Sequence, residues 1–185
     1  MATYDDPRIL RAIAHPTRNR ILSELYAAGT LRAADLARLL DIPANQASFH
    51  LRQLAKYGLI EEAPEEARDR RDRVWRLAGD GLVWLNMSEV EATPEGRAAA
   101  RVFRRTAAER AHHAVDVVYS AERVEGVHRS VTDASLRLTA EEAAELSERL
   151  GDLIEEWSAR VRSKSVEAAP DQTYQLLAIL QPRPN

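Results

Sequence analysis

Between Pro16 and Gly58, apolar residues recur at helical spacing in three runs, and each run is cut by a residue that ends a helix. Ile21, Leu22 and Leu25 give the first run its apolar face, and Gly29 ends it. Leu36, Leu39 and Leu40 mark the second, Ala33 to Leu40, after which Asp41-Ile42-Pro43 turns the chain. In the third, Ala44 to Tyr57, the residues Ala47, Leu51 and Leu54 face inward, and Gly58 closes it. Upstream, Ile9, Leu10 and Ile13 share one face of a helix that starts at Arg8. His15-Pro16 stops that helix, because the residue before a proline is pushed out of the helical region. Pro16 then suits the first position of the next helix, where its missing N–H is not needed.

After Gly58 the period changes. Leu59 to Pro64 reads as a strand, Glu65 to Asp72 as a charged tip, and Arg73-Val74-Trp75-Arg76-Leu77 alternates as the return strand. Thr30-Leu31-Arg32 is a short extended piece, and Gly79 and Gly81 mark the end of the unit. Helix, tight turn, helix, then a hairpin with a basic tip is the order of a winged helix-turn-helix, here over Arg8 to Ala78. The second helix of such a pair enters the major groove, about 12 Å wide, and its first residues reach base edges. The outward candidates are Asn45, Gln46, Ser48, Phe49, Arg52 and Gln53. Asn and Gln match adenine bidentately, and Arg matches guanine. Ser48 and His50 are candidates for phosphate, His50 with a structural role as the equal alternative. In the hairpin, Arg68, Arg70, Arg71 and Arg73 suit a wing lying along the DNA backbone or in the minor groove. The bland reading of that tip is a solvated turn, since Glu65, Glu66, Asp69 and Asp72 partly neutralise it.

Several stretches together resemble the ArsR-like winged-helix regulators. They are Ala14-His-Pro-Thr-Arg18 with Ile21-Leu22, then Asp35-Leu-Ala37 and Leu40, then Ser48-Phe-His-Leu51 with Leu54, then Gly58-Leu-Ile60. The resemblance covers Arg8 to Leu77. It implies that Ala44 to Tyr57 is the recognition helix, with Gln46, Ser48, Phe49 and Arg52 toward DNA. It further implies a homodimer that represses transcription and often releases double-stranded DNA on binding a small-molecule effector. Phe49 stands where that family often has Arg or Gln, which suggests stacking or a thymine-methyl contact instead of a polar one.

The second half reads differently. Leu82 to Val90 is apolar and partly alternating, a strand or connector. Thr93-Pro94 opens a long helix to about Ser120, with a stripe through Ala99, Val102, Phe103, Ala107, Ala111, Ala114, Val115 and Val118. Thr139-Ala-Glu-Glu142 is a capping box. The helix that it starts carries Leu146, Leu150, Leu153, Ile154, Trp157 and Val161, and would span roughly 35 Å. Thr173 to Gln181 reads as a final strand. The expected class is therefore mainly α with a small β-wing. Residues 1–80 form the DNA-binding domain, and 81–185 a helical (α+β) region for dimerisation and effector binding.

Composition narrows the function. The chain has no cysteine, which excludes disulfides, thiolate nucleophiles and the thiolate sites of metal-sensing regulators. The adjacent pair His112-His113 points about 100° apart on a helix and does not chelate one ion. Neither a Gly-rich phosphate loop, a metal cluster nor a nucleophile–base pair is present, so the expectation is no cofactor, no metal and no enzyme activity. Net charge is −3, but residues 1–78 carry 13 basic against 11 acidic side chains, and residues 79–185 carry 13 against 18. That asymmetry favours nucleic acid for the first part and leaves an acidic second part. No apolar run reaches the roughly 18 residues of a membrane helix, and Met1 to Pro7 has no secretory pattern, so the expected location is the cytoplasm. The alternative function is a winged-helix adaptor that binds protein partners without specific DNA binding.

Overall fold

The computed structural model describes residues 3–4, 6–67, 73–79, 84–85, 87–120, 122, 124–162 and 172–183, with backbone alone for 3–4 and 84–85. By contacts the chain divides into two units, Met1–Ala107 and Ala108–Asn185.

In the first unit, β1 (Thr3–Tyr4) precedes α1 (Pro7–Ala14), α2 (Pro16–Ala28), β2 (Thr30–Arg32), α3 (Ala33–Leu40) and α4 (Ala44–Lys56). Then come β3 (Ile60–Glu62), a 3-10 turn at Pro64–Glu66, β4 (Val74–Leu77), β5 (Trp84–Leu85) and α5 (Met87–Val90). The long helix α6 (Pro94–Ser120) starts in this unit. The sheet order β2-β4-β3 is antiparallel throughout, with Leu31 opposite Trp75 and Ile60 opposite Leu77. This is a winged helix-turn-helix: mostly helical, with one small three-stranded wing. A separate parallel pair joins β1 to β5.

The helix boundaries follow the breakers. Gly29 and Gly58 sit at φ +81° and +67°, left-handed positions that cost glycine nothing. Asp41 caps α3 at φ +52°, a place a short polar side chain tolerates. Asp6 caps α1: its carboxylate accepts from the Arg8 amide at 2.8 Å and from the Arg8 guanidinium, whose hydrogen bonds hold it below the usual carboxylate range.

Two apolar clusters fill the unit. The larger joins Ile9, Ile13, Ile21, Leu25, Leu36, Leu51, Leu54, Leu59 and Trp75 across α1 to α4 and the wing. The smaller joins Leu10, Val90, Ala99 and Ala100, and Phe103 packs on both. Helix α1 is thus apolar on two sides, where the sequence suggested one. In the stretch expected as a strand or connector from Leu82 to Val90, Trp84–Leu85 is strand and Met87–Val90 is a helical turn; residues 82, 83 and 86 lie outside the described residues. Thr93 Oγ1 accepts from the Gly96 amide at 3.0 Å and so caps α6.

In the second unit α6 ends and α7 (Ala140–Arg162) follows. The capping box forms as read: the Thr139 amide donates to Glu142 Oε2 at 2.7 Å, and the Glu142 amide donates to Thr139 Oγ1 at 3.2 Å. The expected strand from Thr173 to Gln181 is absent; described residues 173–183 are neither helix nor strand. Among the described residues of this unit none is buried. No helix among the described residues is long and apolar enough to cross a membrane.

Candidate nucleic-acid interface

Helix α4 is seated by Ala47, Leu51 and Leu54, each fully buried. Successive turns bring these three onto one side, and the opposite side carries the polar residues. Asn45, Gln46, Phe49 and Arg52 are exposed, and Ser48 and Gln53 are half-buried. Asn45 Oδ1 accepts from the neighbouring Gln46 amide at 2.9 Å within the first turn of α4, and the cap position itself, Pro43, has no side-chain hydrogen bond. Phe49 is 49% exposed, a large apolar ring on a polar face.

The wing joins this surface at its base. Arg73 is exposed and lies 3.5 Å from Glu62, a solvent-screened pair of small worth. Arg76 is held between Glu61, at 2.7 Å, and Glu65. Ser48, Arg52, Arg73, Ala33 and Trp75 together line one partly enclosed recess of about 310 Å³. The expected wing residues Arg68, Arg70 and Arg71 lie outside the described residues.

His50 corrects its phosphate reading. It is only 4% exposed, and its ring packs 4.7 Å from that of His15 and edge-on to Phe49 at 5.4 Å. The Nδ1 atoms of both histidines are buried without a hydrogen-bond partner among the described residues. Nearby, the Arg18 guanidinium donates to the carbonyls of Ala12 at 2.6 Å and Arg11 at 3.0 Å, closing the end of α1. The sequence pointed to neither contact, although His15-Pro16 marked the joint where they form.

Burial, then the Arg18 charge, holds His15 below the ordinary histidine range; burial, then His15 and Arg18, does the same for His50. A group that resists protonation when folded takes a proton more readily when unfolded, near pH 6.5. The stability they confer is therefore complete above that pH and falls as pH drops below it. The expected result is a melting temperature that declines between pH 7 and pH 5, above the range in which carboxylates titrate. The His15→Gln/His50→Gln double variant should show a flatter decline by circular dichroism; an unchanged slope would remove the pair from the acid response.

Residues 13–63 match a family model described as a helix-turn-helix domain. Over 51 residues the chain is 35% identical to the transcriptional repressor PagR of Bacillus anthracis, covering 28% of this chain and 52% of that protein. The chain thus spans about half the length of the curated relative it matches. Among solved structures, a mutant of Lactococcus lactis ZitR aligns at 20% identity and a TM-score of 0.33, over 77% of this chain and 75% of that one. A mutant of E. coli MarR aligns at 16% identity and a TM-score of 0.36, over 80% and 86%. The family match and the geometry of this chain coincide: residues 13–63 hold a helix-turn-helix, which the strands at 60–62 and 74–77 complete as a winged one.

Proposed function

We propose that this protein is a sequence-specific DNA-binding transcriptional regulator, a homodimeric, metal-independent repressor acting in the cytoplasm. One observation carries the reading: α4 is anchored by Ala47, Leu51 and Leu54 at 0% exposure and leaves Asn45, Gln46, Phe49 and Arg52 exposed. A helix held rigidly by one side and polar on the other is what major-groove reading requires. Gln46 then reads adenine, Phe49 meets a thymine methyl, and Arg68, Arg70, Arg71 and Arg73 follow the backbone. The likeness to a protein named as a repressor supports the sign of regulation.

The ArsR-like reading and the division of labour, DNA contact in 1–80 and dimerisation with effector binding in 81–185, belong to the same proposal. Apolar side chains left open in the second unit support a second copy as their cover: Leu153 is 49% exposed, Trp157 53%, Leu176 71% and Ile179 66%.

The test is selection of bound fragments from genomic DNA by the purified chain, followed by titration of the recovered duplex across salt. A pseudo-palindromic site, a steep fall of affinity with salt and a mass of twice 20.7 kDa by light scattering are expected. No enriched fragment, together with a stable protein partner in a pull-down, would favour the adaptor reading and end this one.

A further inference from the structure

We propose that the recess between α4 and the wing holds a single backbone phosphate of the bound duplex, gripped jointly by Arg52 and Arg73. The proposal rests on the DNA-binding reading above. It makes Arg52 a positioning residue, where its place on the recognition helix alone would suggest a guanine reader.

Three elements meet at the recess. Ala33 begins α3, Ser48 and Arg52 lie on α4, and Arg73 and Trp75 belong to the return strand and its lead-in. Ser48 and Arg52 are four residues apart, so they stack on one face of α4. Trp75, 5% exposed and paired in register with both Leu31 and Glu62, is a fixed wall. The arginines therefore converge from two separately anchored elements onto one space of about 310 Å³.

The lining chemistry is that of an oxyanion site. Among the described residues its lining has two arginines, one serine and no acidic residue. A phosphodiester presents two terminal oxygens sharing one negative charge, which such forks bind by charge-assisted hydrogen bonds. The charge is available. Among the described residues Arg52 has no ion pair and Arg73 has only the 3.5 Å contact with Glu62. Three residues further on, Arg76 is already held by Glu61 and Glu65. Of the arginines on this strand and its lead-in, Arg73, nearer α4, is thus the more loosely held.

A phosphate carried by a small molecule would share this chemistry. The duplex is the better source. The recess is only partly enclosed and two of its lining residues, Ser48 and Arg52, belong to α4, so a free ion stays partly hydrated there, whereas a duplex docked on α4 brings its backbone to the opening.

The experiment uses the full chain and the duplex selected above, in which single phosphates are replaced one at a time by uncharged methylphosphonate. Wild type, Arg52→Ala, Arg73→Ala and the double variant are titrated by fluorescence anisotropy. Both arginines are exposed, and circular dichroism melts establish that the variants remain folded. Each single variant should bind roughly tenfold more weakly, by the same factor on selected and unrelated duplexes. The slope of log affinity against log salt should fall by about one. The double variant should lose little more than either single one, because both side chains serve one phosphate. At one position per half-site, methylphosphonate should weaken wild type and leave Arg52→Ala unaffected. Inorganic phosphate, added at constant ionic strength, should not displace the duplex.

Arg52→Ala relaxing the preference at one base pair with an unchanged salt slope would overturn the clamp and restore the base-reading role. A slope loss of two in the double variant would place the arginines on separate phosphates, and displacement by inorganic phosphate would make the recess a free-ion site. Each of these refutes the clamp while leaving DNA binding intact. A wild-type chain that binds no duplex would instead remove the reading on which the clamp rests.

Discussion

Replacing Gly96 with alanine is expected to destabilise the first unit by about 3 kcal/mol, lowering the melting temperature by roughly 10 °C. A Cβ built on Gly96 falls 1.6 Å from the Val90 carbonyl oxygen and 2.7 Å from its carbon. These are backbone atoms of the short helix α5, so no side-chain rotation relieves the overlap. Either α5 and α6 separate or α6 starts later, and both outcomes pull Ala99 and Ala100 away from Leu10 and Val90. Gly151, within α7, is the internal control, because nothing lies within 4 Å of its Cβ position. There the usual helical preference for alanine over glycine should act alone, stabilising by about 0.5–1 kcal/mol. Urea titration followed by circular dichroism separates the two. Equal effects at the two sites would deny that α5 and α6 are packed backbone to backbone.

The second large effect concerns α4. Leu51→Ala should cost about 3 kcal/mol, within the usual range for emptying a fully buried leucine site. Leu51 is packed among the residues of the larger cluster, and the helix that bears it contributes little else to the core than Ala47 and Leu54 besides His50. DNA affinity should fall with the folded fraction and recover on cooling. Phe49→Ala, two residues earlier and half-exposed, should change stability by under about 0.5 kcal/mol. Its effect should appear in selectivity at a thymine. If Leu51→Ala left the melting curve in place, α4 would not be held in the way described.

The contrast between these neighbours shows what could be read in advance. Ala47, Leu51 and Leu54 stood out because their spacing and their chemistry agree. His50 shares that spacing, three residues after Ala47 and four before Leu54, which fits the structural one of its two equal readings. Its polarity fitted the phosphate reading, and the inner position is the one it occupies, against His15. The three helices α2 to α4 were legible because each apolar run ends at a residue with a backbone reason to stop it. The run from Thr173 to Gln181 had no such constraint. Apolar residues in succession fit a strand only when another strand is there to pair with, and a linear pattern does not say whether one is. The recess was illegible for a related reason: Arg52 and Arg73 are 21 positions apart in sequence, and only the register of β2, β4 and β3 brings them to the same opening.

Helix α1 contributes Ile9 and Ile13 to one cluster and Leu10 to the other. Any excision that removes it takes a wall from both at once. The 13–63 segment, though it contains every turn of the helix-turn-helix, is therefore not a fragment that should fold by itself. The smallest self-sufficient piece must reach back to Asp6 and forward past Ala100, and folding should be all-or-none across that whole length.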